Sequence, residues 1–115
     1  MTVFRKLPKS VRIKNHAYKI THVKSPDSDR KKNLDGVIWF DDKIEINKNL
    51  SRLETESTII HEVLHGIGHH FKIKLTETMV IALENALVTV FRQNKWKITE
   101  KNKTKSKLKA QKKHR

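Results

Sequence analysis

The stretch HEVLHGIGHH, residues 61–70, holds four of the chain's seven histidines and one glutamate, and its spacing makes sense only on a helix. Taking His61 as the origin of a helical wheel, His65 falls at about 40°, Thr58 at about 60°, His69 at about 80° and Glu62 at about 100°. Val63, Ile67, Ile60, Leu53 and Leu64 fall between about 200° and 300°. The pattern predicts an amphipathic helix with a core side and an imidazole side. Two histidines at i and i+4 stack on successive turns, so their ring nitrogens can reach one ion. Glu62 lies beside that row, where a carboxylate can take a proton from a metal-bound water without displacing it. His69 shares the face, but histidines at i, i+4 and i+8 span about 12 Å along the axis, too far for one ion. His70 falls on the other side, and both suit a helix end where a basic group meets the C-terminal dipole.

The rest of the chain supplies partners for such a helix. Val11 and Ile13, then Tyr18 and Ile20, alternate as strands do, and a loop rich in turn formers follows at SPDSDRKKNLDG. Residues 37–40 and 43–47 are β-prone runs separated by Asp41 and Asp42, which reads as a hairpin with Ile44 and Ile46 inward and Glu45 outward. Ser51 with Glu54 three residues on forms a capping box for the histidine-bearing helix. Thr76 caps a second helix from about Glu77 to Phe91 or slightly beyond. The order predicts an α+β fold with helices packed on one face of a small N-terminal sheet.

The chain has 26 Lys+Arg against 12 Asp+Glu, a net charge of +14, and no cysteine. Without thiolates, any metal must be held by His, Asp or Glu. Ten of the basic residues fall in residues 95–115 beside one acid, Glu100. We therefore divide the chain into a domain over residues 1–94 and a basic tail over 95–115, disordered beyond about Ile98. The tail is a candidate contact for nucleic acid or another polyanion. No leader-like apolar stretch opens the sequence and no run approaches the roughly 20 apolar residues of a membrane span, so a cytoplasmic protein is expected.

With H-E-x-x-H at residues 61–65, preceded by strands and followed by a second helix, the sequence resembles the zincin metallopeptidases. TIIHEVLHGI and, about ten residues later, LTETMVIALENALVTVF are similar to the small phage-encoded zincins related to the ImmA/IrrE and SprT-like groups. The likeness covers roughly residues 35–94. The longer metzincin pattern fails at its last histidine, which here is Phe71. The resemblance implies a Zn²⁺ site with His61 and His65 as ligands, Glu62 as general base and an acidic residue from the later helix. It also implies that the strand nearest the active helix, here Lys43–Asn47, pairs with an extended peptide substrate.

Two glutamates of the second helix compete for the third ligand position. Taking Thr78 as origin, Glu84 falls at about 240° and Glu77 at about 260°, both at the edge of an apolar arc formed by Leu83, Leu87, Val80 and Phe91. A carboxylate at that edge is partly buried and needs a cation to meet it. The spacing of 19 residues from His65 to Glu84 is similar to that of zincins with a helix-borne glutamate, so Glu84 is the expected ligand and Glu77 its competitor. His69 and Tyr18 are candidates for stabilising an oxyanion. The expected activity is zinc-dependent hydrolysis of a peptide or protein substrate. The competing reading is a basic nucleic-acid-associated adaptor whose zinc is structural or a catalytic relic.

Overall fold

Alternating side chains make the sheet one-sided. Tyr18, Ile20, Ile44 and Ile46 are all at most 5% exposed and line a single face. The computed structural model describes residues 1–26 and 34–100. In chain order these form β1 (Ser10–Ile13), β2 (His16–Val23), β3 (Gly36–Trp39), β4 (Lys43–Asn47), α1 (Arg52–Phe71) and α2 (Glu77–Asn94), an α+β domain. β1 and β2 form an antiparallel hairpin, as do β3 and β4, while β4 slots in parallel beside β2 with Ile20 opposite Ile44.

The sheet order β1-β2-β4-β3 follows, and it corrects one expectation. β4 is paired along both edges, so its ladder groups are spent and it has no edge to offer a peptide. The open edge near α1 belongs to β3. Asn47 donates its N–H to the carbonyl of Asp35 at 2.8 Å, and with Gly36 opposite Ile46 the backbone groups of 35, 37 and 39 face β4. Those of Gly36 and Ile38 therefore face outward.

α1 starts where the capping box places it. Ser51 Oγ accepts the Glu54 N–H at 3.1 Å and the Glu54 carboxylate accepts the Ser51 N–H at 3.0 Å. It ends at Lys72, left-handed with φ 56. Thr76 caps α2 by accepting the Met79 N–H at 3.1 Å.

The face of α1 that meets the sheet is not the richest in large apolar residues. Thr55, Glu56, Ile59, Glu62 and Gly66 are buried and span about 100° to 220° on the wheel. Gly66 is required for close approach, since a Cβ there would lie 2.5 Å from Ile13 Cδ1 and 3.1 Å from Ile38 Cδ1. The arc of Ile60, Val63, Leu64 and Ile67 turns instead toward an apolar cavity of 390 Å³ shared with Phe4, Leu87, Phe91 and Ile98.

The N-terminal segment is tied down by a buried carboxylate. Glu56, fully buried, accepts the backbone N–H groups of Val3 and Phe4 at 2.8 and 3.0 Å and is met by Arg52 at 3.3 Å and Arg92 at 3.5 Å. Ile98 joins the same segment, donating its N–H to Val3 at 2.7 Å and accepting that of Arg5 at 2.9 Å. The folded body thus continues past residue 94, because Trp96 packs edge-on against Phe91 and Ile98 bridges to Phe4. The rest of the basic tail, with its expected polyanion contact, lies outside the described residues. Among the described residues no helix is long and apolar enough to cross a membrane.

Candidate metal centre

The imidazole face of α1 meets the first half of α2. His61 and His65 stand one turn apart with ring centroids 5.0 Å from each other. Glu77, in the first turn of α2, spans them: one carboxylate oxygen is 3.1 Å from His61 Nε2 and the other 2.8 Å from His65 Nε2. One ligand atom each from His61, His65 and Glu77 can be chosen so that all lie within 4.8 Å of one another. Donors around a tetrahedral zinc ion at about 2.0–2.1 Å stand about 3.3 Å apart. The three donors are thus gathered to within about 1.5 Å of that spacing, and the donor set of two imidazoles and a carboxylate suits zinc.

Glu84 meets the same cluster from the other side, with Oε1 2.8 Å from His61 Nδ1. A neutral imidazole donates through one nitrogen only. With Glu84 accepting from Nδ1, the Nε2 lone pair is left to face the Glu77 side, the arrangement by which a carboxylate fixes the tautomer of a metal-binding histidine. The two glutamates thus take different places against the imidazoles. Glu77 reaches the Nε2 atoms of both histidines, and Glu84 backs one of them. The cause is translation along α2: the two glutamates share a flank, and the helix crossing brings its first turn, not its third, to the gap between the imidazoles. Glu84 is held in the contact stripe Val80–Glu84–Val88, where both valines are buried and the Glu84 side chain is 17% exposed.

Glu62 lies where the sheet and the imidazole face meet. It is 7% exposed. Burial pushes its carboxyl up from the ordinary 4.5 to about 7; His61 opposes the rise, the charges of Glu77 and Glu84 add to it, and the Ile38 backbone N–H lowers it. That N–H is one of the outward-facing groups of β3, so the strand edge and the candidate base touch. Together with Leu34, Asp35, Gly36, Thr58, His61, Glu77 and Glu84, Glu62 lines a pocket of 260 Å³. Gly36 lets β3 come this close, as a Cβ there would meet Thr58 Cγ2 at 2.6 Å.

The two residues considered for an oxyanion are elsewhere. Tyr18 is fully buried, its hydroxyl 2.5 Å from His70 Nε2, and His69 stacks on Phe40 at 4.0 Å between centroids; neither lines the pocket. Burial, aided by the neighbouring His69, His16 and Lys14, lowers the pKa of His70. Its role is to seat the β2 tyrosine against the end of α1. Thr58 lines the pocket from the imidazole face where the wheel places it, whereas Asp35 belongs to no motif and only the fold brings it there.

No family model, no curated protein and no solved structure matches the chain.

Proposed function

We propose that this chain is a zinc-dependent peptidase of minimal zincin type. The observation that carries the reading is the convergence of Glu77 on the Nε2 atoms of His61 and His65, with the buried Glu62 opening onto the same pocket. In this reading His61, His65 and Glu77 hold the ion, and Glu84 keeps His61 in the right tautomer. A bound zinc ion supplies a water of lowered pKa and a Lewis acid for the scissile carbonyl.

The remaining work belongs to the protein. Glu62 accepts the proton of the attacking water and delivers it to the departing amine, a task suited to a carboxyl whose pKa lies near the working pH. The outward groups of Gly36 and the Ile38 carbonyl align an extended peptide across the pocket by strand addition. Among the described residues the cluster offers three ligands and no fourth. Three protein ligands with an open position favour catalysis over a closed structural site.

The experiment compares zinc-loaded wild type with Glu62→Gln on a mixed peptide library read by mass spectrometry. Cleavage by wild type that is abolished by chelation and by Glu62→Gln, with zinc retained in the variant, supports the reading. Cleavage at wild-type rate by Glu62→Gln removes Glu62 as the base.

A further inference from the structure

The pocket has a charge opposite to that of the chain. Asp35, Glu62, Glu77 and Glu84 all line it, with no Lys or Arg among the described residues, although basic residues outnumber acidic ones by 26 to 12 overall. Three of the four carboxylates are engaged: Glu62 with the Ile38 N–H, Glu77 with both histidines, Glu84 with His61 Nδ1. Asp35 is different. Its backbone carbonyl is fixed by Asn47 at 2.8 Å, which anchors the residue immediately before β3. Its carboxylate is exposed and has no hydrogen-bond or ion-pair partner among the described residues.

The open edge of β3 is an independent pointer to the kind of ligand. Gly36 turns its N–H and C=O, and Ile38 its C=O, outward beside the pocket, the Ile38 N–H being taken by Glu62, and such an edge takes an extended chain. A peptide paired there passes Asp35, the residue just before the strand. With a divalent ion on two neutral imidazoles and Glu77, the charges of Glu84 and Asp35 leave the pocket's described residues and the ion with one net negative charge even before Glu62 ionises, which favours a cationic side chain. An acidic one meets Asp35 unscreened by any basic neighbour among the described residues of the pocket.

We propose that Asp35 is a specificity-determining residue and that the site selects peptides with Lys or Arg close to the scissile bond. This rests on the peptidase reading of the pocket. Asp35 touches neither the ion's ligands nor the base, so its contribution is to substrate binding and not to the chemical step.

The test uses the full chain carrying Glu62→Gln, zinc-loaded, so that peptides bind without turnover. Three labelled decapeptides differ only at one central position, which is Lys, norleucine or Glu, and binding is read by fluorescence anisotropy. The Lys peptide is expected to bind about fivefold tighter than the norleucine peptide, the value of an ion pair at a partly exposed site. Adding Asp35→Asn should bring the Lys peptide to the norleucine level while leaving norleucine binding and zinc content unchanged, and Asp35→Glu should restore part of the preference. Equal binding of the Lys, norleucine and Glu peptides overturns the proposal, as does a Lys preference that survives Asp35→Asn. The two readings separate in parallel assays of wild type: cleavage without charge preference sinks this inference and leaves the peptidase standing, whereas charge-selective binding without any cleavage does the reverse.

Discussion

Replacing Glu62 by Gln should make the metal-free protein more stable, although it removes the proposed base. Glu62 is 7% exposed, and burial lifts its carboxyl from 4.5 to about 7. Between those values the folded chain holds a proton that the unfolded chain has released. Folded-state stability therefore falls as pH rises from about 4.5 and levels off above about 7. At about 1.4 kcal/mol per pH unit, the charged carboxylate removes about 3 kcal/mol at pH 8. Glutamine keeps the shape, carries no charge and can still accept the Ile38 N–H through its amide oxygen. The variant should gain about 2–3 kcal/mol at pH 8, or about 10 °C or more in Tm for a domain of this size, and nothing at pH 4. Calorimetry in chelator at the two pH values measures both. A metal-free variant less stable than wild type at pH 8, or a gain of equal size at pH 4, would refute the claim that burial of charge governs this residue.

Zinc at a hundredfold excess over its Kd should add about 2.7 kcal/mol to wild type and far less to His65→Ala, read as a Tm shift. Glu56→Gln should destabilise by about 3 kcal/mol in denaturant titration, because it leaves Arg52 and Arg92 facing a neutral group and weakens the hold on Val3 and Phe4. Gly66→Ala gains about 1 kcal/mol of helix propensity but overpacks against Ile13 by about 1–3 kcal/mol; a net loss that Ile13→Val relieves in a double-mutant cycle is expected. Lys72→Gly should raise stability by about 1 kcal/mol, since Lys72 caps α1 at φ 56, a conformation glycine adopts without strain.

What the sequence made legible was local. Ser51 and Thr76 announce their helices through side-chain caps, Ile44 and Ile46 announce the inward face of β4 by alternation, and His61, Glu62 and His65 share a helical face by spacing alone. What was not legible depends on how elements are placed against one another. The insertion of β4 between β2 and β3 is a long-range pairing that no local pattern records, and it moved the open edge from β4 to β3. Glu77 and Glu84 share a flank of α2, so a wheel gives them nearly equal angles; only the crossing with α1 decides which reaches both imidazoles. Glu56 left a signal that went unread. It falls at about 220° on the wheel of α1, among the apolar residues, where a carboxylate must find donors. The seating of Trp96 and Ile98 was masked by the lysines around them.

Zinc affinity measured by competition with a chromophoric chelator, across wild type, Glu77→Ala and Glu84→Ala, tests the metal centre most directly. Wild type should bind one zinc per chain. Glu84→Ala, which loses only the carboxylate behind His61, should weaken binding by about 10- to 100-fold, and Glu77→Ala, which loses a donor to the ion, by more than that. A wild type that binds no zinc, or a Glu84→Ala variant that loses zinc while Glu77→Ala keeps it, would contradict the assignment of His61, His65 and Glu77 as the ligands.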